Sequence, residues 1–446
     1  MHLHGTSAIN NRGHLEIGGC DTTQLAADYG TPLYVFDEQL IRTRCREFRD
    51  AFLATGLQFQ VAYASKAFCV KAMCRIVEEE GLSLDVVSDG ELYTALQAGF
   101  PPQRIHFHGN NKTPQEIEMG LDANIGCFVV DNFMELHLLN ELARERKMKA
   151  SILLRITPGV EAHTHEFIST GQTDSKFGFD MENGSAFRAV QESLKLEQLR
   201  LLGVHSHIGS QIFEVDGFEI AADKVSRFAA QVRDELDYTF TVINLGGGFG
   251  IRYMEGDTPL PAARYIGAIA DAVKNNFSAR SYPLPEIWIE PGRSIVGEAG
   301  TTLYTVGSVK DIPGVRKYVA VDGGMTDNPR PALYGARYEA MLANRALDVE
   351  EEVVSIAGKC CESGDMLIWD LALPVVRTGD LLAVSSTGAY NYAMASHYNR
   401  IRKPAVIFVK DGAADVVVRR DTYEDVAGND VIPERLRKQP EPIAKA

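Results

Sequence analysis

The stretch Leu57-Gln-Phe-Gln-Val-Ala-Tyr-Ala-Ser-Lys-Ala67 joins an apolar run to a single charged residue, Lys66. Residues 57–64 have the length and the composition of a buried β-strand. We expect the stem of Lys66 to lie in the core and its amine to lie at the mouth of the strand. A buried amine loses its proton readily and is then a nucleophile toward carbonyl carbon. A structural lysine whose amine reaches solvent is the alternative.

Apolar runs of the same kind recur along the chain as far as residue 290, and helical stretches separate them. The further strand candidates are residues 84–87, 105–108, 127–130, 151–156, 201–207, 241–245 and 286–290. In the stretches between them, apolar residues recur every three or four positions, which is typical of amphipathic helices. Buried strands that alternate with helices predict a parallel sheet covered on both faces. Eight such units predict a (β/α)8 barrel, and a doubly wound sheet is the alternative.

The chain after about residue 300 predicts a second domain that is mainly β. Turn residues rather than long helices separate its short apolar runs, which are residues 303–309, 318–321, 353–356, 381–385, 406–409 and 416–418. Residues 1–36 have the same texture and are expected to join this domain. The predicted fold class is therefore α/β, a TIM-type barrel followed by a mainly β C-terminal domain. We predict an N-terminal segment 1–36, a barrel 37–300, a β domain 301–424 and a polar tail 425–446.

Composition excludes several classes of protein. The 446 residues are 45% hydrophobic and 24% charged, with a formal net charge of −15, which argues against binding to nucleic acid. The N-terminus lacks the pattern of a signal peptide, and no apolar stretch has the length of a membrane span. The seven cysteines, an odd number, are expected to be reduced thiols. We expect a cytoplasmic protein that binds neither nucleic acid nor membrane.

Polar residues follow the carboxyl ends of the predicted strands, which is the face where barrels carry their chemistry. The polar residues are Lys66, Asp85, Ser88, His108, Asn110, Arg155, His205, His207, Glu290 and Arg293, and the seventh strand ends in the glycines Gly246, Gly247 and Gly248. Because these strand ends meet at one face of a barrel, we expect the side chains to surround a common site.

Two motifs near this face are typical of anion binding. Gly246-Gly-Gly-Phe-Gly250 follows the seventh strand, where barrels commonly bind phosphate, and its glycines allow backbone N–H groups to approach an anion. A tight turn is the alternative. Glu290-Pro-Gly-Arg293 ends the eighth strand. The carboxylate of Glu290 can pair with a protonated ring nitrogen, and the guanidinium of Arg293 can pair with a carboxylate or a phosphate. An ion pair between Glu290 and Arg293 is the alternative.

The histidines allow a metal site to be considered. His205 and His207 in Val204-His-Ser-His-Ile-Gly-Ser-Gln211 lie on one face of a strand, because alternate residues share a face. A metal site would draw further ligands from His106, His108, His163 and His165. A spacing of two residues also follows from strand alternation alone. We therefore predict no metal, and we expect the imidazole of His207 to stack on a planar cofactor.

Two loops of the predicted β domain carry further reactive groups. Cys360-Cys-Glu-Ser-Gly-Asp365 joins thiols to carboxylates, and a thiol can act as an acid near neutral pH. A buried structural cysteine is the alternative. The long loop 321–334 adds Arg330 and Tyr334, and loops are where functional residues concentrate.

Together these motifs resemble the signatures of the alanine-racemase-fold, pyridoxal-phosphate-dependent decarboxylases. The similar stretches are VAYASKA, GVHSHIGSQ, NLGGGFGIRY, IEPGRSIVG, VDGGMTDNPRPALYGA, KCCESGD and TGAYNYAMASHYN, and the resemblance covers about residues 3–424. The resemblance implies a fold type III enzyme that uses pyridoxal 5'-phosphate. It also implies a homodimer whose active sites lie at the interface.

The resemblance assigns roles to individual residues. Lys66 is implied to hold the cofactor as an internal aldimine, and Cys361 to donate the proton from the partner subunit together with Glu362. His207 is implied to act in catalysis by stacking on the ring, and residues 160–177 match the active-site lid of the family. The other implied cofactor contacts are Asp85, Ser210, Gly247, Gly248, Glu290, Gly292, Arg293 and Tyr390. The implied substrate contacts are Arg293, Arg330, Tyr334, Glu362 and Tyr390.

The charges of these residues favour one substrate within the family. Arg293 and Arg330 can pair with a distal carboxylate while Glu362 takes the neighbouring ammonium, and meso-2,6-diaminopimelate carries both groups. We therefore predict its decarboxylation to L-lysine and CO2, the last step of lysine biosynthesis. Ornithine, arginine or carboxynorspermidine are alternative substrates on the same fold. An alanine racemase, a non-catalytic cofactor-binding protein and a metal hydrolase are more distant alternatives.

Overall fold

The computed structural model describes residues 1–160 and 175–437. Most of the predicted lid at 160–177, including His163 and His165, lies outside the described residues, as does the end of the predicted tail. A search of the described helices finds none that is both long enough and apolar enough to cross a membrane.

The N-terminal residues form a small antiparallel sheet and then a strand that joins a larger sheet. Asp37 ends that strand and starts the next helix, because its carboxylate accepts a hydrogen bond from the backbone N–H of Leu40 at 3.0 Å. The elements are β1 (Ala8–Ile9), β2 (Leu15–Ile17), β3 (Cys20–Asp21), α1 (Thr22–Tyr29), β4 (Leu33–Asp37) and α2 (Glu38–Leu53).

A closed parallel barrel follows, and it confirms the predicted fold class. Its strands are β5 (Phe59–Ala64), β6 (Ser83–Val86), β7 (Ile105–Phe107), β8 (Cys127–Val130), β9 (Ala150–Thr157), β11 (Leu199–His205), β12 (Val242–Asn244) and β13 (Glu286–Ile289); the short β10 (Phe179–Asp180) pairs with β9. The sheet closes because β13 pairs with β5 and β8 pairs with β9, all in parallel. Closure excludes the doubly wound alternative.

Residues at the ends of the strands also start the helices that cover the barrel. Ser88 accepts a hydrogen bond from the N–H of Glu91, and Thr113 forms a capping box with Glu116. This brings the polar strand ends and the helix N-termini to one face. The covering helices are α3 (Lys71–Glu79), α4 (Asp89–Gln97), α5 (Pro114–Asp122), α6 (Phe133–Glu145), α7 (Ser185–Ser193), α8 (Asp216–Leu236) and α9 (Ala262–Ala279).

Inside the barrel an apolar layer lies next to a polar layer. The apolar layer consists of Cys127, Val129, Leu153, Val242 and Trp288, all buried. The ring of His106 stacks on Trp288 with centroids 4.3 Å apart. Because alternate residues of a strand share a face, the next inward residues toward the carboxyl ends are His108 and Glu290. The apolar layer therefore closes the barrel beneath the polar residues.

The C-terminal part is a mainly β domain preceded by the short helix α10 (Arg293–Val296). The elements are β14 (Gly300–Ile312), β15 (Arg316–Val321), α11 (Arg330–Tyr334), β16 (Ala340–Leu342), β17 (Glu352–Ala357), β18 (Met366–Leu373), β19 (Leu381–Val384), β20 (Ala405–Lys410), β21 (Ala413–Val418) and α12 (Tyr423–Ala427). The large sheet of this domain runs in the order β18-β17-β15-β14-β4-β20-β21, with β19 paired to β14 and β16 paired to β19. Strand β4 thus adds N-terminal residues to this sheet.

The apolar runs predicted here include neither β16 nor β18. Strand β18 is interrupted by exposed Trp369 and Asp370, and Asp370 has a left-handed backbone with φ of 53°. An edge strand with such an interruption lacks a continuous apolar pattern. The exact boundaries of the four predicted segments stay a prediction.

Candidate active site

Lys66 lies in a single 3-10 turn, Ser65–Ala67, directly after β5. Its side chain is exposed, whereas Ser65 and Ala67 are buried. The prediction of a stem held in the core is therefore wrong, because the strand ends at Ala64 and the turn takes residue 66 out of the core. The backbone N–H of Tyr390 donates to the carbonyl of Ala67 at 2.8 Å, which ties this turn to a loop of the β domain.

Glu91 supports the turn that carries Lys66, and the sequence reasoning missed it. Its carboxylate accepts hydrogen bonds from the Ser65 hydroxyl at 2.8 Å and from the Val87 N–H at 2.7 Å. Burial raises the pKa of Glu91, and the charge of Lys66 opposes that rise. The signal was present in the sequence, because Ser88 and Glu91 have the spacing of a capping box after a strand.

The glycine motif forms a loop that leaves no room for side chains. A Cβ on Gly247 would lie 2.0 Å from the carbonyl oxygen of Glu290. Gly248 has a left-handed φ of 106°, and a Cβ there would lie 2.2 Å from the carbonyl oxygen of Gly209. A Cβ on Gly292 would meet Ala64 at 3.0 Å, next to the Lys66 turn. These glycines therefore allow the ends of four strands, β5, β11, β12 and β13, to approach each other closely.

Arg293 is a buried cation near this loop. Its guanidinium donates to the hydroxyls of Tyr253 at 2.5 Å and Ser210 at 3.0 Å, and it lies 4.8 Å from the ring centroid of Tyr390. Its buried Nε has no hydrogen-bond partner within residues 1–160 and 175–437. Among the described residues no carboxylate forms an ion pair with it, so the alternative of an internal pair with Glu290 is not what the structure has. A buried guanidinium without a carboxylate suits an anionic ligand.

Arg330 is brought to the same place by tyrosines that the sequence reasoning did not single out. Its guanidinium donates to the Tyr338 hydroxyl at 2.7 Å and lies 5.0 Å from the ring centroid of Tyr253. Although burial alone would raise the pKa of Tyr253, Arg293 and Arg330 together lower it. The two arginines predicted to bind substrate therefore share one tyrosine.

Glu290 is held in the polar layer by three neighbours. One carboxylate oxygen, Oε1, accepts a hydrogen bond from the Asn244 amide at 2.6 Å and lies 3.2 Å from His108 Nε2. The other oxygen, Oε2, lies 3.0 Å from His205 Nε2. Burial alone would raise the pKa of Glu290, but His108 and His205 hold it well below its usual range. The carboxylate is therefore ionised at neutral pH.

His207 and Asp85 complete the group at the barrel mouth. Burial lowers the pKa of His207 well below its usual value, and the charges of Lys66 and Arg155 lower it further. Its ring is therefore neutral, and its Nδ1 accepts a hydrogen bond from the Gly247 N–H at 3.3 Å. Asp85 is buried at the end of β6, with Oδ1 3.5 Å from the Nε2 of His108.

Three predicted site residues, Tyr334, Cys361 and Glu362, are exposed on the β domain. The Cys361 N–H donates to Asn399 at 2.7 Å, and the Glu362 carboxylate accepts from the N–H of Gly364 at 3.2 Å. Within the described residues, neither Cys361 nor Glu362 forms a side-chain hydrogen bond or ion pair with the barrel.

Known proteins are similar to this chain over most of its length. Residues 38–297 match the family model "Pyridoxal-dependent decarboxylase, pyridoxal binding domain". The chain is 61% identical to the diaminopimelate decarboxylase of Bacillus subtilis (strain 168), covering 97% of this chain and 98% of that protein. The diaminopimelate decarboxylase of Staphylococcus aureus (strain COL) is 49% identical, covering 95% and 99%.

The fold agrees with solved structures as well. The crystal structure of M. jannaschii diaminopimelate decarboxylase in co-complex with L-lysine is 38% identical, with a TM-score of 0.91, and covers 97% of this chain and 99% of that one. A lysine/ornithine decarboxylase from Vibrio vulnificus is 22% identical with a TM-score of 0.74, which is a likeness of fold alone.

Proposed function

Because the chain belongs to the family of pyridoxal-dependent decarboxylases, as a full-length relative of the diaminopimelate decarboxylases, we propose that it removes CO2 from meso-2,6-diaminopimelate and releases L-lysine. This is the last step of lysine biosynthesis by the diaminopimelate route. The observation that carries the choice of substrate is the pair Arg293 and Arg330, two buried cations on Tyr253. The distal carboxylate of a substrate pairs with these cations. An amino acid such as ornithine, whose far end carries only an amine, leaves the cations unpaired.

The residues at the barrel mouth fit pyridoxal 5'-phosphate. The glycine loop excludes side chains, so that backbone N–H groups can approach a phosphate, and the buried Nε of Arg293 is an unsatisfied donor. The ionised Glu290 suits a protonated ring nitrogen, and Lys66 presents an accessible amine for covalent attachment. When bound, the cofactor supplies a ring that accepts the electron pair left as CO2 departs.

We assign the holding of the cofactor to residues that the structure gathers at this face. Lys66 binds it covalently, Glu290 pairs with the ring nitrogen, and the neutral imidazole of His207 packs on the ring without adding charge. Ser210 is oriented toward the phosphate by Arg293. The full proposed set is Lys66, Asp85, His207, Ser210, Gly247, Gly248, Glu290, Gly292, Arg293 and Tyr390.

The substrate is oriented by charges on both domains. Arg330, fixed by Tyr338, binds the distal carboxylate, and Arg293 supports it through their shared contact with Tyr253. Glu362 binds the distal ammonium, and Tyr334 and Tyr390 line the pocket. Cys361 delivers the proton to the carbon that has lost CO2.

The remaining proposals concern assembly and location. Cys361 and Glu362 are exposed on the β domain, where a partner subunit's site can receive them. We therefore propose a homodimer with active sites at the interface. The cytoplasmic location stays a prediction.

The proposed function is tested by measuring CO2 release from meso-diaminopimelate, ornithine, arginine and carboxynorspermidine in parallel. We expect kcat/KM for diaminopimelate to exceed that for each of the others by at least about 10³-fold, because the analogues leave buried site charges unpaired. A higher kcat/KM for ornithine or arginine would assign the chain to another activity of the same fold.

Replacing Arg330 by alanine is expected to raise KM for diaminopimelate by about 10²-fold or more, because a buried charge-assisted pair is lost. The matched control is Arg337→Ala, since Arg337 is an exposed arginine a few residues further along the chain. Steady-state kinetics of both variants measure their KM values for diaminopimelate. An unchanged KM in Arg330→Ala would mean that the distal carboxylate is bound elsewhere.

Replacing Gly247 by alanine is expected to weaken cofactor binding about 10-fold or more, because overpacking of this kind costs roughly 1–3 kcal/mol. The added Cβ would lie 2.0 Å from the carbonyl oxygen of Glu290, so the loop must shift. Gly256→Ala is the control, because a Cβ there meets no atom within 4 Å. Fluorescence titration of cofactor into stripped protein measures both affinities, and equal values would contradict the assigned phosphate loop.

A further inference from the structure

His108 lies between two carboxylates in the polar layer of the barrel. Its Nε2 is 3.2 Å from Oε1 of Glu290 and 3.5 Å from Oδ1 of Asp85. All three side chains are less than a tenth exposed. Two carboxylates that converge on one nitrogen repel each other unless that nitrogen carries a positive charge. Their arrangement therefore favours an imidazolium at residue 108.

The protonation states of the two histidines at Glu290 differ. Burial alone would lower the pKa of His108, but Glu290 and Asp85 raise it to about 9. Burial lowers the pKa of His205, so its ring is neutral. In the part of the chain that the structure describes, the Nδ1 of His205 has no hydrogen-bond partner, whereas its Nε2 lies 3.0 Å from Glu290 Oε2. His205 is therefore a neutral donor to Glu290, and His108 is the cation.

We propose that His108 is a positioning residue whose imidazolium holds Asp85 and Glu290 together. The three side chains then carry one net negative charge, which meets the ring nitrogen of the cofactor. This inference rests on the proposed function, because Glu290 has that partner only in a pyridoxal-dependent site. Without the cation, one carboxylate takes up a proton to relieve the repulsion. If Glu290 takes it, the ring nitrogen loses its charged partner.

The groups that face His108 come from several strands. Asp85 lies at the end of β6, Glu290 after β13, and His205 at the end of β11, with its ring centroid 5.0 Å from that of His108. Arg155 adds positive charge near His205 and Glu290. His106 faces Asp85 at 3.5 Å from the same strand as His108. Of all these groups, only His108 lies within ion-pair distance of both carboxylates.

The same atoms also have the spacing of a metal site. Among the described residues, His108, His205 and Glu290 offer ligand atoms within 4.8 Å of one another. The Asn244 amide donates to Glu290 Oε1 at 2.6 Å, and the same oxygen lies 3.2 Å from His108 Nε2. An oxygen with these two neighbours favours an ion pair with His108 over a metal ligand. A bound metal is therefore an outcome that the test must be able to reveal.

The test replaces His108 by glutamine in the holoenzyme, which keeps an N–H donor and removes the charge. We expect the Kd for pyridoxal phosphate to rise about 10-fold, and kcat to fall about 10-fold with KM for diaminopimelate changed less than about 2-fold. Asp85→Asn in the His108→Gln background restores the net charge of the cluster, and we expect it to recover most of the lost cofactor affinity. The control is His106→Gln, which we expect to change the Kd less than about 2-fold because His106 does not contact Glu290.

Each result decides for or against the inference. An unchanged Kd in His108→Gln, or a double variant no better than the single one, would overturn it. If His108→Gln does not fold, a folded double variant that binds cofactor supports it, and an unfolded one overturns it. Stoichiometric metal that is lost in His108→Gln would also overturn it. Failure of the proposed function is distinguishable, because wild-type protein would then not release CO2 preferentially from meso-diaminopimelate, whereas failure of this inference leaves the wild-type activity unchanged and alters only the expected result for the variants.

Discussion

Replacing Lys66 by alanine will remove covalent attachment of pyridoxal phosphate and lower kcat by at least about 10³-fold. The structure places this amine in a turn at the barrel mouth, next to the glycine loop and within the electrostatic reach of His207. Glu91 fixes that turn through Ser65, so the position of residue 66 does not depend on its own side chain. The variant is therefore expected to fold.

The matched control is Lys71→Ala. Lys71 is an exposed lysine at the start of α3, close to Lys66 in the chain. It should keep both the covalent cofactor and turnover, because it does not lie in the turn at the barrel mouth. Mass spectrometry after borohydride reduction and steady-state kinetics measure the two properties. A Lys66→Ala variant with turnover within about 10-fold of wild type would remove this residue from the mechanism.

Replacing Cys361 by alanine will leave cofactor binding intact and lower kcat by at least about 10²-fold, the usual scale for loss of a general acid. Cys361 is exposed, as a residue that donates into a neighbouring site must be. Cys360→Ala is the control, because burial raises the pKa of the Cys360 thiol to about 12 and makes it a poor acid. Near-normal turnover in Cys361→Ala would exclude it as the proton donor.

The Lys66→Ala and Cys361→Ala variants together test whether each active site contains residues of both subunits. Inactive Lys66→Ala and Cys361→Ala proteins, mixed and allowed to exchange subunits, should regain about a quarter of wild-type activity if each site draws on both subunits. In a mixed dimer one site then contains both native residues and the other contains neither. Mixing without recovery would place Lys66 and Cys361 in the same chain.

The sequence predicted the barrel well because its strands are continuous apolar runs that end in polar residues. The pattern failed for β18, where Trp369 and Asp370 are exposed and the strand has no continuous apolar run. It also failed for the burial of Lys66, because a 3-10 turn after β5 takes the side chain out of the core. Local turns of this kind are not encoded in apolar periodicity.

The candidate site was predicted in its charged residues and not in the groups that hold them. Arg293 and Arg330 were expected to act together, but Tyr253, which both contact, was not given a role, although it ends the recognised stretch NLGGGFGIRY. His108 was named as a polar strand end and as a possible metal ligand, and its position between Asp85 and Glu290 follows from barrel closure. The proposed role of Cys361 requires a second chain, which a single fold does not contain.

Borohydride reduction of the purified wild-type protein, followed by peptide mass mapping, tests the central claim most directly. The protein is expected to be yellow and to carry a reduced pyridoxyl group on the peptide that contains Lys66, with the fragment series placing the added mass on that residue. A colourless protein with bound zinc, or a label on another lysine with Lys66 unmodified, would contradict the account.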